Sequence, residues 1–361
     1  MGPTRLLTRR ELNRATLARQ LLLERSSIPL LDAIGNLAGL QAQNPTDPYI
    51  GLWSRLTGFD PMAASSALEE REVVRAQLMR ATIHLVTSAD YPYMAGATAP
   101  VLERVFHSTP FARNTAGLDR DQLLSTGRQL LEANPHTRAE LARALAGRWP
   151  DADAPSLAQA VTYLLPVVQI PPRGMWRRKG QARWAMAREW LGVEPVPGAA
   201  PDDLILRYLA AFGPATVTDA RTWANLGGLA DVFDRLRPRL LTFRDEEGRQ
   251  LFDLPDAPRP HPDTPAPVRF LPEFDNVLLS HADRRRVFSG LSPAGRLGNL
   301  LVDGFLAGQW KRSEERARAL IEVGVAPGLT KTALSEVEAE ASRLARFLAP
   351  DADHDVAVRP I

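Results

Sequence analysis

The chain has 361 residues, 45% apolar and 24% charged, with a net charge of +2; this is a folded, globular composition, too long for one small core, so two or three compact units are expected. It contains no cysteine, which excludes disulfides, thiolate nucleophiles, cysteine-ligated zinc and iron–sulfur clusters, and its histidines show no close pairing, so no metal or other cofactor is expected. No stretch approaches the roughly 18 apolar residues of a membrane span and the first residues lack the apolar core of a signal peptide, so a cytoplasmic, monomeric protein that does not engage a membrane is expected.

Thr8-x-x-Glu11 is a reciprocal capping pattern, and Leu12, Ala15 and Leu22 recur behind it at helical spacing, predicting a helix over 9–24. A second helix starts near Pro29 and runs through Leu30, Ile34, Leu37 and Leu40. Pro45 disfavours the helical conformation at Asn44, so this helix should stop within Gln41-Ala42-Gln43. A third helix is predicted over Pro61 to Glu72, and Ala81 to Thr87 reads as a strand rich in β-branched residues. On such a strand Arg80, Thr82 and His84 would alternate onto one face.

The order then recurs. Leu118–Ala133 reads as a helix, Thr137-x-x-Glu140 caps a second, Ser156–Leu165 makes a third, and Val167–Ile170 and Arg183–Ala187 flank a basic turn. Asp202–Phe212, Thr218–Leu226 and Leu229–Leu236 are helical, followed by a hairpin of Leu240–Phe243 and Leu251–Leu254. Helices followed by a hairpin are the order of a winged helix. The expected fold is therefore α+β, mainly α, with tandem winged-helix units at 1–115, 116–198 and 199–256. Residues 255–267 hold six prolines in thirteen positions and read as an extended connector. A C-terminal lobe at 257–361 follows, with strand-like Leu278-Leu279-Ser280, Arg285–Gly290 and Asn299–Ala307 and a helix over Lys331–Leu348.

The two glutamines are the unusual feature. If the chain is extended from Gln41 to Gln43 both side chains point the same way, whereas in a continuing helix they would diverge by about 200°. A pair of amides donates and accepts hydrogen bonds without titrating, so it can hold a water but cannot act as a strong base. The alternative is that both glutamines cap the carbonyls of the ending helix. Only three lysines occur, Lys179, Lys311 and Lys331, and the arginine-rich basic charge is clustered. Arg177, Arg178 and Lys179 lie on the basic turn near Trp176, Trp184 and Trp190. His281, Arg284, Arg285 and Arg286 make a second cluster, and Lys311 and Arg312 beside Trp310 a third. A charge run is usually a solvated face, but three of them on hairpin-like segments suit a nucleic-acid backbone. These residues, with Arg80, Thr82 and His84, are the expected DNA contacts.

The stretches LAGLQAQNPTDPYIGLWSRL, LMRATIHLVTSADY, PPRGMW, LPEFDNVLLSHADRRRVF and LLVDGFLAGQW together resemble the AlkZ-like (AlkZ/YcaQ) family of bacterial DNA glycosylases, over about residues 8–350. The resemblance implies tandem winged-helix units forming a C-shaped, positively lined DNA channel. It assigns Gln41 and Gln43 to a Gln-x-Gln active-site motif, of the type associated with antibiotic self-resistance rather than the type carrying aspartate. The implied activity is removal of N7-alkylguanine from double-stranded DNA, bulky adducts and interstrand crosslinks included. The competing reading is a winged-helix transcription regulator that binds DNA and does no chemistry.

Overall fold

The computed structural model describes residues 5–291, 296–315 and 318–361; the first four residues of the expected opening unit lie outside these. After a short strand (β1, Leu6–Leu7), α1 spans Arg9–Arg19 and carries the expected capping box, the Thr8 N–H donating to the Glu11 carboxylate at 2.8 Å. It stops at Arg19 and not at residue 24, because Leu21 adopts φ +56°. α2 is only Leu30–Asn36, and the chain is extended again by β2 (Leu40–Gln41), with Gly39 at φ +80° making the reversal. Behind the glutamines an unforeseen helix, α3 (Asp47–Arg55), takes its Pro48 into the first turn, and α4 spans Pro61–Glu69.

β3 (Val73–Gln77) and β4 (Ile83–Thr87) form the first hairpin. The strand expected from Ala81 begins at Ile83, since Arg80 and Ala81 both take positive φ in the reversal and Thr82 closes it by donating to the Met79 carbonyl. That is the backbone of a mirror-image hairpin turn, here built without Asn-Gly. Further along come α5 (Tyr91–His107), α6 (Pro110–Asn114), α7 (Arg120–Ala133), β5 (His136–Thr137), α8 (Arg138–Ala146), α9 (Ala154–Leu164), β6 (Val167–Ile170), β7 (Arg183–Met186) and α10 (Ala187–Leu191). The first two hairpins are not separate wings. They join through β3 and β6 into one sheet of order β2-β4-β3-β6-β7-β5.

α11 (Asp202–Phe212), α12 (Val217–Ala224) and α13 (Leu229–Leu236) lead to the hairpin of β8 (Leu241–Asp245) and β9 (Gln250–Asp253), and β1 pairs with β8 in parallel. The N-terminal β1 and α1 thus pack with the third hairpin and α11. In the C-terminal lobe β10 (Arg269–Leu271), β11 (Gly298–Val302), β12 (Phe305–Glu315), β13 (Arg318–Val325) and β14 (Asp353–Pro360) make a five-stranded sheet covered by α15 (Lys331–Leu348). Two strand-like stretches are helical instead: Asn276–Leu279 is α14, capped by Asp275, and Arg284–Arg286 is a single 3-10 turn capped by Asp283.

The six-stranded sheet is buried on both faces. Val74, Ala76, Val86, Val168 and Ala185 pack on one side with α5 and α11–α13, while Val73, Leu85, Val167, Trp184 and Met186 pack on the other with α2, α3 and α7–α9. The proline-rich connector is held along α1 by arginines, with Arg14 donating to the Thr264 carbonyl at 2.7 Å and Arg10 to that of Pro262 at 2.9 Å. Arg19 joins α1 to the third hairpin through a bidentate pair with Asp253 at 2.7 and 2.9 Å, and it also reaches the Leu209 carbonyl at 2.8 Å. Both side chains are buried. Breaking such a pair leaves an uncompensated interior charge, so Asp253→Ala should lose about 3–5 kcal/mol in urea unfolding. A loss below about 1 kcal/mol would show that α1 is not anchored there.

Candidate functional site

The glutamine motif sits at an edge of the central sheet. β2 pairs only with β4, placing Gln41 opposite His84 on the face of Ala76 and Val168. Ala42 donates to the Ile83 carbonyl at 2.7 Å and turns its methyl into the opposite core. Gln43 lies beyond the strand, at a bend, with its side chain against the Ile83 N–H. The motif is therefore not helical. Gln41 is buried at 6% exposure, whereas Gln43 faces solvent.

Each amide is oriented by a group that can only donate. Arg80 donates to Gln41 Oε1 at 2.7 Å, and the Ile83 N–H donates to Gln43 Oε1 at 3.2 Å. Each carbonyl oxygen is therefore engaged by one donor and keeps a further lone pair. The capping alternative is not what these bonds show: both glutamine oxygens accept, Gln41 from Arg80 and Gln43 from the Ile83 N–H of the neighbouring strand, and neither bond is to a carbonyl of the ending helix.

Arg80 reaches this position because the tight turn folds it over the sheet, where its other terminal nitrogen donates to the Trp223 carbonyl at the end of α12. Arg80, Thr82 and His84 do not alternate on one strand face. His84 is buried, and its Nδ1 lies 2.9 Å from the Thr82 carbonyl, which can only accept; the proton is on Nδ1 and the Nε2 lone pair faces Arg80 at 3.5 Å. Burial, reinforced by the Arg80 charge, pushes the imidazole down to about 3, so His84 is neutral at physiological pH. Burial lowers Arg80 to about 10, which leaves it a cation.

Two residues that sequence reasoning missed hold the motif backbone. Asn276 of α14 accepts from the Gln41 N–H at 3.3 Å and donates to the Leu37 and Gly39 carbonyls. Arg75 of β3 donates to the Ala42 carbonyl at 2.9 Å. Asn276 lies inside LPEFDNVLL, a stretch with a distinctive pattern, but nothing local points a residue over two hundred positions away at Gln41. Asp47, just past the motif, is also buried; burial and the neighbouring Glu273 and Asp275 raise its carboxyl to about 7, against a weak hydrogen bond from the Phe274 N–H. Among the described residues no cluster of three His, Asp or Glu side chains is placed to hold a metal ion.

The expected DNA contacts divide. His281 is interior, between Ser280 and the Phe212 carbonyl, and Arg286 is interior, donating to the Pro214 carbonyl and to Thr16. Neither can touch DNA, and the buried His84 cannot either. Arg285 is exposed but locked by Asp283 and Glu247 at 2.6 and 2.7 Å, and Lys311 pairs with Glu322 at 3.1 Å. Arg177 donates to the Leu348 carbonyl and lies near Asp351. Arg178, Lys179 and Arg284 are exposed and, among the described residues, have no carboxylate partner. The aromatic surface beside the basic turn is not free either: Trp184 is core, and Trp176 is packed between Tyr49 and Phe347, each with ring centroids 5.0 Å away.

A family model described as "DNA glycosylase AlkZ-like" matches residues 34–347. The interstrand DNA cross-link repair glycosylase of Streptomyces sahachiroi is 23% identical over 91% of this chain and 93% of its own length. The solved structure of the Streptomyces sahachiroi DNA glycosylase AlkZ superposes with a TM-score of 0.74 at 20% identity, over 99% of this chain and all of that one. No helix among the described residues is long and apolar enough to cross a membrane.

His84 and His281 are both held neutral by burial, at about 3, well below the unfolded value near 6.5. A lowered folded pKa means that acid protonates only the unfolded chain, so their contribution to stability is full above about 6.5 and is lost as pH falls toward 3, by about 1 kcal/mol per pH unit for each group. Urea unfolding between pH 6.5 and 4.5 should show this slope, and His84→Gln should reduce it. An unchanged slope in that variant would mean that His84 is not held neutral by the fold.

Proposed function

The chain belongs to the AlkZ-like family of DNA glycosylases, and from that premise we propose that it is a monofunctional enzyme releasing N7-alkylguanine from double-stranded DNA, with Gln41 and Gln43 as its catalytic residues. The observation that carries this reading is the motif itself: two neutral amides with fixed orientation, one solvent-facing, and only a neutral imidazole and a guanidinium beside them. Such a site orients a water without deprotonating it. It suits a substrate that supplies its own leaving group.

N7-alkylated guanine carries a positive charge that makes it such a leaving group. As the bond from N9 to C1′ breaks, its electron pair neutralises the base and C1′ gains oxocarbenium character; water adds to C1′ and its proton passes to solvent. No strong base is required in that sequence. Gln43, exposed, positions the water. Gln41, its carbonyl held by Arg80, either orients the same water or stabilises the developing sugar cation through its carbonyl dipole. The exposed Arg178, Lys179 and Arg284 are the proposed phosphate contacts, joined by Arg177 at the same turn. Tandem winged-helix units forming a C-shaped channel would place the duplex against them. Bulky adducts and interstrand crosslinks resist full extrusion, so gripping the duplex is favoured over a deep base pocket, in keeping with a role in resistance to genotoxic natural products.

The decisive experiment is release of N7-methylguanine and of a bulkier N7 adduct from duplex DNA in EDTA. Gln43→Ala should slow single-turnover release about 100-fold or more, with DNA affinity within about threefold, and Gln41→Ala should act in the same direction. Wild-type rates in both variants would place the chemistry elsewhere. Absence of release with salt-sensitive binding intact would favour the regulator. A second outcome separates strand-cutting enzymes: borohydride should trap no covalent adduct, and capture through Lys179, Lys311 or Lys331 would overturn monofunctional action.

A further inference from the structure

Arg75 is 1% exposed, and among the described residues it has no carboxylate partner. One terminal nitrogen donates to the Ala42 carbonyl at 2.9 Å and to Gln169 Oε1 at 3.3 Å; its Nε and other terminal nitrogen have no hydrogen-bond partner. Burial, with Arg173 nearby, lowers it to about 10, so it remains charged at neutral pH. An interior cation on two neutral acceptors is costly, and a hydrophobic residue would suit the core better. The compensating feature is which carbonyl it holds.

Strand order β2-β4-β3 puts β4 between Arg75 and the motif, and Arg75 pairs with Leu85 on the face opposite Gln41. The guanidinium therefore reaches beneath β4 to the sheet edge, where the ladder has ended and the Ala42 carbonyl has no strand neighbour to bond. The Gln41 N–H is held by Asn276 and the Ala42 N–H by Ile83. Arg75 closes the set by fixing the peptide plane between Ala42 and Gln43, on which the direction of the Gln43 side chain depends. A charged donor does this more firmly than a neutral one. Its far side is covered by the loop between β6 and β7, where Gly174, at φ +96°, comes so close that a Cβ there would lie 2.4 Å from Arg75 Cδ. That loop carries Arg177, Arg178 and Lys179.

We propose that Arg75 is the positioning residue of the amide pair: by donating to the Ala42 carbonyl from the far face of the sheet it sets the peptide plane between Ala42 and Gln43, and its contact with Gly174 ties that plane to the basic loop. The catalytic consequence rests on the glycosylase reading, whereas the structural one does not. Hydrogen exchange over residues 39–46 of the DNA-free protein tests the latter. Arg75→Lys keeps the charge and loses the reach and fork, so exchange there should rise at least tenfold, while single-turnover release of N7-methylguanine falls at least tenfold and duplex affinity stays within twofold. Arg269→Lys, at another buried arginine, bonded to the Leu22 carbonyl and to no residue of the motif, controls for general loosening and should leave exchange over 39–46 and release unchanged. Should Arg75→Lys fail to fold, Gly174→Ala, which presses on the intact arginine, should change both readouts in the same direction. Unchanged exchange over 39–46 in a folded variant overturns the positioning role, whether or not the wild-type protein releases base. Raised exchange with an unchanged release rate overturns its link to catalysis, and absence of release from the wild type counts against the glycosylase reading alone.

Discussion

A sheet buried on both faces imposes one rule on its polar residues: each needs a partner inside the protein, and Arg75, with two nitrogens unpartnered, and Gln77 Oε1 meet it only in part. The six-stranded sheet carries Gln41 and His84 on one face and Arg75 and Gln169 on the other, and that rule accounts for the local architecture. Gln41 is satisfied by Arg80, Arg80 by Trp223, His84 by Thr82, and Ala42 by Arg75. A shifted α12 or a longer hairpin turn would remove one link and leave a buried group unmatched. The site is thus a consequence of sheet burial as much as of the glutamines themselves.

The strained turn gives the arrangement its asymmetry. Two consecutive non-glycine residues at positive φ cost about 1–2 kcal/mol each, and they direct Arg80 over the sheet toward Gln41. With one carbonyl engaged by a cation inside the protein and the other by a main-chain N–H at the surface, the two amides are chemically unlike despite identical side chains. Neither amide titrates, and the imidazole beside them is neutral, so the pair differs from acid-base sites built on carboxylates; the shifted carboxyl nearby is that of Asp47, just past the motif.

Part of the arginine in this chain is structural. Arg14, Arg19, Arg55, Arg75, Arg269 and Arg286 are all buried, most of them donating to carbonyls between segments distant in sequence. The guanidinium suits this use because five N–H donors in a planar fork satisfy several carbonyls at once. Arginine counts therefore overstate the charge available to DNA: in the run Arg284, Arg285, Arg286 only Arg284 is both exposed and without a carboxylate partner among the described residues.

The sequence by itself determined the pieces governed by local rules. Capping boxes at Thr8 and Thr137, the run of helices before the third hairpin, the helix over Lys331–Leu348 and the extended break at the glutamines all follow from capping, periodicity and the restriction a proline places on its neighbour. The family, too, was legible from its motifs. Only the tertiary structure decided that two hairpins merge through β3 and β6, that Arg80 turns over the sheet, that His281 and Arg286 face inward, and that Asn276 and Arg75 hold the motif backbone. Each of these depends on which segments meet across long stretches of chain. Short-range signals carry no information about that, because burial of a polar side chain is settled by its partner and not by its neighbours in sequence.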